Sequence, residues 1–104
     1  HRSYYFFIGG DNSVAPFHAH DAVFLLQIYG RKVVYLISSA YSNSDLLNGC
    51  KDIENPACIT NNTQLQSVKV YKAVLNPGDV LYIPDGWLHD VRAETTSISI
   101  AYGF

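Results

Sequence analysis

The clearest structural signal in this chain is residues 78–89, Gly78-Asp79-Val80-Leu81-Tyr82-Ile83-Pro84-Asp85-Gly86-Trp87-Leu88-His89. Residues 76–79, Asn-Pro-Gly-Asp, are a turn signal, because proline fixes φ and glycine tolerates positive φ. The β-branched and aromatic run 80–83 then predicts a short strand, and Pro84 with Gly86 predicts a second tight corner. The pattern therefore predicts two short strands around a corner, with His89 on the second strand.

The rest of the chain continues this pattern of short strands separated by turn residues. Strand-like runs cover residues 4–8, 14–28, 32–37, 67–75, 80–83, 87–93 and 95–102. Residues 38–66 are instead polar and rich in Ser and Asn, which predicts one long loop insertion with a helical turn near 45–47. We expect about eight short strands and no amphipathic helix, which is the pattern of an all-β barrel or sandwich.

Length and composition limit the class of protein. The chain has 104 residues, 48% of them hydrophobic and 15% charged, with a formal net charge of -2. These values suit one globular domain over residues 1–104. We expect no nucleic-acid partner, because the few basic residues are scattered, and no membrane span, because no apolar run approaches about 18 residues. The chain starts without Met or a signal peptide, which we interpret as the mark of a fragment of a longer protein.

Two cysteines, Cys50 and Cys58, lie in the polar segment. They could close a short disulfide loop or remain free thiols, and the sequence favours neither. Asn61-Asn62-Thr63 has the form of an N-glycosylation acceptor, although such triplets are common by chance. These features lean toward the secretory pathway or ER lumen without deciding the compartment.

His18 and His20 are separated by one residue, so on a strand their side chains share a face. Two imidazoles on one face can chelate a metal ion through ring nitrogens at about 2.0–2.1 Å. Taken alone, a His-x-His pair is often a surface accident. The pair therefore becomes a candidate metal site only if a further ligand reaches it from elsewhere in the chain.

The stretch 78–89 resembles the second motif of the cupin family, because its Gly, Pro, Gly and His positions all match that motif's spacing. Residues 10–30 resemble the first cupin motif less completely, since Phe24 or Leu25 stands where many cupins place a glutamate ligand. The resemblance implies a double-stranded β-helix, a jelly-roll barrel of about eight strands. It also implies one metal ion inside the barrel, held by three histidines: His18, His20 and His89.

Three stretches narrow the resemblance to the jumonji-C (JmjC) branch of the cupins, which are Fe(II)- and 2-oxoglutarate-dependent oxygenases. These stretches are residues 8–18, 26–32 and 76–91. The resemblance implies Fe(II) or another divalent transition metal, and 2-oxoglutarate as a small-molecule cosubstrate whose distal carboxylate pairs with Lys32. It implies hydroxylation of a protein side chain or a small molecule.

Strand alternation also favours an inward Lys32. If the alternation is unbroken, His18, His20 and Lys32 are all even-numbered and share the inner face, with Gly30 the place where the phase can change. A buried lysine without a partner is costly, so an anionic ligand would explain its position. The alternative is a lysine whose stem follows the barrel mouth while its ammonium group stays in water.

Several positions depart from the JmjC pattern. The family has His-x-Asp or His-x-Glu where this chain has His18-Ala19-His20, and Asp21 is predicted to lie on the opposite strand face. Three positions that often help to hold 2-oxoglutarate are also changed, with Ala15 for Thr, Phe24 for Asn and Ala101 for Asn. Three functions stay open: the oxygenase, a 2-oxoglutarate-independent cupin enzyme, and a non-catalytic JmjC-like metal-binding or protein-interaction module.

In the last strand, small and large residues alternate. The small residues are predicted to face inward and leave room for a ligand: Ser97, Ser99, Ala101 and Gly103. The opposite face is an apolar stripe of Ile98, Ile100 and Tyr102. Such a stripe predicts a cover, either a missing N-terminal helical segment or a partner subunit.

Three residues around the distal histidine also receive predictions. Asp85 and Asp90 are expected to be turn and surface residues. Trp87 shares strand parity with His89, so it is expected either to line the site or to belong to the core.

Overall fold

The computed structural model describes residues 3–12, 14–18, 21–41, 50, 52–60 and 63–103, and for 3, 4, 14–18, 59, 63 and 64 it describes the backbone alone. The strands in these ranges are β1 Ser3–Gly9, β2 Val14–His18, β3 Val23–Tyr29, β4 Lys32–Ile37, β5 Tyr71–Leu75, β6 Val80–Ile83, β7 Leu88–Ala93 and β8 Ser97–Gly103. A 3-10 turn spans Ser39–Tyr41, and two short helices follow, α1 Pro56–Thr60 and α2 Thr63–Gln66.

The strands form two four-stranded sheets with the orders β1-β8-β3-β6 and β2-β7-β4-β5. Every pairing between neighbouring strands is antiparallel. Strands that follow each other in sequence mostly lie in different sheets, so the chain crosses repeatedly from one layer to the other. This is the arrangement of a double-stranded β-helix, and the predicted fold class is confirmed.

Apolar side chains that alternate along the strands form the core between the two sheets. Its buried members are Val23, Leu25, Val34, Leu36, Leu75, Ile83 and Ala101. Val34 lies directly opposite Ala73 on one side and Val91 on the other, so one row of side chains crosses three strands and faces this core. The sheet register thus decides which residues can reach the interior.

Strand β2 contains an irregularity next to the first predicted ligand. Ala15 pairs with Val91 and His18 pairs with His89, so β2 has one more residue than β7 between the two pairs. Pro16 lies in this interval and has no backbone N–H to donate. Edge strands and bulges are the places where sheets tolerate proline, and β2 is an edge strand.

Strand β3 and the turn after it break the alternation expected from the sequence. β3 buries the odd-numbered Val23, Leu25 and Gln27, whereas β4 directs its even-numbered residues to the same interior. The phase changes because the register with β8 shifts after Gln27 and because the turn runs through Gly30 at a φ of 74°. The alternation therefore breaks between β3 and β4, at the Gly30 turn where the sequence allowed a change of phase.

The segment 38–66, expected to be a loop, contains the 3-10 turn and both helices. α1 starts at Pro56, and the Asn55 side chain accepts a hydrogen bond from the Ala57 backbone N–H at 3.0 Å. An Asn cap followed by Pro at the first helical position is a helix-start signal that the polar composition of the segment concealed. The helical turn expected near 45–47 lies outside the described residues.

A disulfide joins Cys50 to Cys58, so these two cysteines are not free thiols. The segment that contains them packs on the outer face of the β2-β7-β4-β5 sheet. The contact is a second, smaller cluster of buried residues, Ile37, Ile53 and Leu65. The segment 50–68 is therefore a cover for this sheet.

Ion pairs attach the same segment to β7. Arg92 donates to both carboxylate oxygens of Asp90, at 2.8 and 3.2 Å, and also pairs with Asp52 at 2.8 Å and Glu54 at 3.0 Å. Hydrogen bonding to Asp90 raises the pKa of the Arg92 guanidinium, and burial raises the pKa of Tyr35, which donates to Glu54, to about 12. Asp90 is itself buried, so the expectation that it is a surface residue is wrong.

The outer face of the other sheet is apolar and exposed to solvent. Its large exposed side chains include Phe6, Ile8, Tyr29, Val80 and Tyr82. The expected cover for this face stays a prediction. In the described part of the chain, no helix has the length and apolar character needed to cross a membrane.

We predict that Arg92→Met lowers the free energy of unfolding by about 3–5 kcal/mol, because it leaves the buried Asp90 carboxylate without its cation. The matched control is Arg31→Met, which removes an exposed pair with Glu94 at 3.2 Å and should cost less than about 1 kcal/mol. Urea unfolding followed by the fluorescence of the single tryptophan, Trp87, measures both. Equal losses for the two variants would contradict the assignment of Arg92 as the main attachment of the cover.

Candidate metal centre

His89 projects into the barrel interior from β7. It lies opposite Leu36 of the core in the β4 ladder, and 3% of its surface is exposed. The backbone carbonyl oxygen of Trp87 accepts a hydrogen bond from Nδ1 at 3.0 Å. Because a carbonyl oxygen can only accept, Nδ1 carries the proton, and in the neutral ring the lone pair is on Nε2. This is the tautomer in which a histidine binds a metal through Nε2.

The corner that was predicted from sequence fixes this geometry. Gly86 has a φ of 76°, and the Trp87 N–H donates to the Pro84 carbonyl oxygen at 3.3 Å. The turn brings the Trp87 carbonyl to the ring of His89, and the side chain of Trp87 packs against the core. The local sequence therefore places both the histidine and the group that orients it.

The backbone register brings His18 next to His89, since the two residues are directly paired between β2 and β7. Directly paired residues in an antiparallel ladder have Cα atoms about 4.5–5.5 Å apart. The His18 side chain and all of His20 lie outside the described residues. The ligand set of three histidines therefore stays a prediction, and the side chains that are described contain no group of three possible metal ligands.

Lys32 is the first residue of β4, and 5% of its surface is exposed. It shares the inner face of the strand with Val34 and Leu36, and its Nζ lies 5.6 Å from the centroid of the Phe7 ring. No carboxylate of the described residues forms an ion pair with it. Burial lowers the pKa of the Lys32 ammonium group, because the charged form has lost water. The role of Lys32 in cosubstrate binding stays a prediction.

A buried amide lies at the same end of the interior as Lys32, and it was not predicted. Gln27 is fully buried; its Nε2 donates to the carbonyl oxygens of Tyr29 and Gly30 at 2.8 and 3.0 Å. Its Oε1 accepts a hydrogen bond from Ser99 Oγ at 2.7 Å. Gln27 lies two residues after Leu25, so the two side chains share a strand face, and this spacing was the sequence signal for an inward Gln27. An inner face made of even-numbered residues would instead have pointed Gln27 outward.

Ser97, Ser99 and Ala101 are all buried on the inner face of β8, as the sequence predicted. Phe24 is different, because its side chain is 38% exposed on the outer face of β3. Phe24 therefore cannot occupy an interior position equivalent to a cofactor-binding Asn or a glutamate ligand, and that comparison was wrong. Leu25, the alternative for the glutamate position, does face the core.

Asp21 is exposed in the bend between β2 and β3. The bulge in β2 lies before His18, between it and Ala15, so no described irregularity follows His18 that would bring Asp21 to its face.

Comparisons with known proteins agree with this fold. The family model described as "JmjC domain" matches residues 1–104. The chain is 32% identical over 104 residues to "Jumonji C domain-containing protein 5" of Drosophila melanogaster, covering 91% of this chain and 26% of that protein. It is 30% identical over 102 residues to "Lysine-specific demethylase 8" of Xenopus tropicalis, covering 90% and 23%.

A third relative is "tRNA wybutosine-synthesizing protein 5" of Gallus gallus, 35% identical over 81 residues, which cover 74% of this chain and 25% of that protein. The chain thus spans about a quarter of the length of the curated relatives it matches. The crystal structure of a cupin superfamily protein from Desulfitobacterium hafniense superposes with a TM-score of 0.64 at 12% identity, covering 99% of this chain and 66% of that one.

The lowered pKa of Lys32 predicts a pH dependence of stability. The unfolded chain keeps the lysine proton up to a pH near the ordinary value of 10.5, whereas the folded chain releases it earlier. The free energy of unfolding of the wild type, minus that of Lys32→Met, should therefore be lowest at neutral pH. This difference should rise as the pH approaches 10.5. Urea unfolding from pH 7 to 10 measures the difference. Lys72→Met, which removes an exposed lysine from β5, is the control and should show no such rise.

Proposed function

This chain belongs to the JmjC domain family, and on that premise we propose that it is the core of a metal-dependent oxygenase of the JmjC type. The proposed cofactors are Fe(II) and 2-oxoglutarate, and the proposed reaction is hydroxylation of a protein side chain or a small molecule. The observation that carries the proposal is the buried cation of Lys32, which shares the interior with His89 and pairs with no described carboxylate.

The chemistry of the described donors fits a metal at the His89 end of the interior. Metal-binding histidines commonly donate their second ring N–H to a carbonyl or carboxylate oxygen, and the Trp87 carbonyl takes this role for His89. His18 is its ladder partner, and we assign His18 and His20 as the other two ligands. When bound, the metal supplies binding and activation of O₂, which protein side chains do not offer. Three imidazoles also accept divalent transition metals other than Fe(II).

The spacing of Lys32 and His89 supports a small dicarboxylate as cosubstrate. In the ladder between β4 and β7, His89 is opposite Leu36, so Lys32 starts four residues away along the strand, or about 13 Å. An extended lysine side chain and 2-oxoglutarate together are long enough to bridge this distance. Three neutral imidazoles leave the metal charge uncompensated, so both ends of a dicarboxylate would meet positive charge.

The substrate is proposed only as a class. Two of the relatives carry names that refer to different reactions, demethylation of lysine for one and wybutosine synthesis in tRNA for the other. These names describe those proteins, and their diversity gives this chain no single substrate. A substrate would lie beside the metal, on the side of the interior away from Lys32, because Lys32 is assigned to the cosubstrate.

One sequence feature favours a second candidate function. His20 stands where the family pattern has a carboxylate ligand, and the described residues offer no replacement. A non-catalytic JmjC-like module that binds metal or protein partners is therefore the alternative. A 2-oxoglutarate-independent cupin enzyme is the other outcome that the experiment below separates.

We predict that the protein, purified without oxygen and supplied with Fe(II), develops a visible charge-transfer band when 2-oxoglutarate is added. Lys32→Ala should keep the metal and lose the band, because the distal carboxylate has lost its cation. His89→Ala should weaken metal binding by more than about 100-fold, since even loss of a group that orients a metal ligand costs about 10- to 100-fold. Lys72→Ala, on β5, serves as the matched lysine control and should behave as wild type.

The other outcomes decide between the alternatives. Stoichiometric metal without a band would overturn the 2-oxoglutarate assignment and favour a different cupin chemistry. Failure to take up stoichiometric metal would favour the non-catalytic module that acts through protein contacts. A band that survives in Lys32→Ala would remove Lys32 from the cosubstrate site.

A further inference from the structure

Two serines on β8 have the same burial but different hydrogen bonding. Ser97 and Ser99 are both fully buried and lie two residues apart on the inner face. Ser99 Oγ donates to Gln27 Oε1 at 2.7 Å. Ser97 Oγ is the one buried side-chain oxygen or nitrogen in the described part of the chain that has no hydrogen-bond partner. Such groups are rare in folded proteins, and each needs an explanation.

Ser97 lies beside the turn that leads into Lys32. A β-carbon placed on Gly30 would lie 3.0 Å from the Cα of Ser97. The two chain segments are also tied together, because the Arg31 N–H donates to Thr95 Oγ1 and the Glu94 N–H donates to the Arg31 carbonyl oxygen, each at 3.0 Å. Ser97 and Lys32 thus belong to the same end of the interior.

The surroundings of the Lys32 ammonium group also place it near the inner serines of β8. The Lys32 Nζ lies over the Phe7 ring, 5.6 Å from its centroid. In the ladder between β1 and β8, Phe7 is directly opposite Ser99, and Gly9 is directly opposite Ser97. Because paired residues share a sheet face, the Lys32 cation and the inner serines line one end of the space between the sheets.

We propose that Ser97 is the second donor of the anion site of Lys32 and that its hydroxyl binds the distal carboxylate of 2-oxoglutarate. The inference rests on the proposed function, which it deepens by naming a further binding residue. A carboxylate placed between the two groups would accept both the ammonium N–H and the serine O–H. The carboxylate would neutralise the buried charge and accept the hydrogen bond of the serine hydroxyl. No described residue does both.

Ser97 differs from the neighbouring inner-face serine of β8, because its hydroxyl has no hydrogen-bond partner among the described residues. Ser99 is already committed to Gln27, whose amide in turn holds the carbonyl groups of the turn at Tyr29 and Gly30. Ser99 and Gln27 therefore shape the turn before Lys32, and Ser97 remains available to a ligand.

The test compares Ser97→Ala with Ser99→Ala in the intact protein, which are the same substitution on the same face of the same strand. Affinity for 2-oxoglutarate is measured by anaerobic calorimetry with Fe(II) present, and stability by urea unfolding without ligand. Ser97→Ala should weaken 2-oxoglutarate binding by roughly tenfold or more, the usual worth of a hydrogen bond to a charged group. It should leave stability unchanged or raised, because it removes a buried hydroxyl without a partner. Ser99→Ala should lower stability, since it leaves Gln27 Oε1 buried without a donor.

A second ligand separates binding from general disturbance of the barrel. 2-Oxopentanoate has the same carbon chain and lacks the distal carboxylate. Ser97→Ala should leave its affinity unchanged, because the bond that the serine makes is absent in both proteins. A serine that merely supports the fold would weaken the two ligands alike.

The outcomes distinguish failure of the Ser97 assignment from failure of the proposed function. If the wild type binds 2-oxoglutarate and Ser97→Ala binds it equally well, the role of Ser97 is overturned and the proposed function stands. If the wild type ignores 2-oxoglutarate but binds succinate in a way that needs both Lys32 and Ser97, the anion site stands and the oxygenase proposal falls. If the wild type binds neither dicarboxylate, both are overturned.

Discussion

The burial of Lys32, of whose surface 5% is exposed, is the constraint on which the interior depends. A charge removed from water has to be offset, and the described residues provide an aromatic ring at 5.6 Å and no carboxylate. The Lys32 backbone cannot shift along its strand, because Leu75 and Ala93 pair with it on both sides. A central strand therefore holds a cation in an interior that is otherwise largely apolar.

The neighbouring strand β7 connects this interior to the outer cover. Its residues alternate between the two faces of the sheet, so His89 points inward while Asp90 and Arg92 point outward. On the inner face, the Trp87 carbonyl orients the imidazole. On the outer face, Arg92 binds the segment that carries the disulfide. The position of His89 is consequently fixed from both sides of one strand.

The parts of the fold that sequence could predict are those whose cause is local. Pro84 and Gly86 set their own backbone angles, and the run before them has strand propensity, so the corner and the following histidine could be predicted from residues 76–89 alone. The inner face of the last strand was equally predictable, because its alternation of small and large residues is unbroken. The resemblance to the family supplied the double-stranded β-helix, which local patterns alone left as a barrel or sandwich.

Sequence could not predict which residues of β2 and β3 face the interior, because this depends on pairing with strands far away in sequence. The bulges in β2 and β3 exist only relative to β7 and β8. The irregularity in β3 follows Gln27, and together with the turn at Gly30 it gives β3 an odd-numbered inner face and β4 an even-numbered one. Asp90 was misjudged for a similar reason, since its burial depends on Arg92 and on a cover that arrives from residues 52–54. Sequence therefore placed His89 and Lys32 on the inner face but did not find the buried polar groups beside them.

The distribution of satisfied and unsatisfied polar groups argues for a binding site and against an imperfect core. Gln27, Ser99, His89, Asp90 and Arg92 are buried, and each makes a hydrogen bond. The two described exceptions are Ser97, which has no hydrogen-bond partner, and Lys32, which has no carboxylate partner. Random defects of packing would have no reason to fall at the same end of the interior. A cation and an unpaired hydroxyl donor are both destabilising in apolar surroundings. One bound anion would accept hydrogen bonds from both groups, and this is the reason for inferring an anion site there.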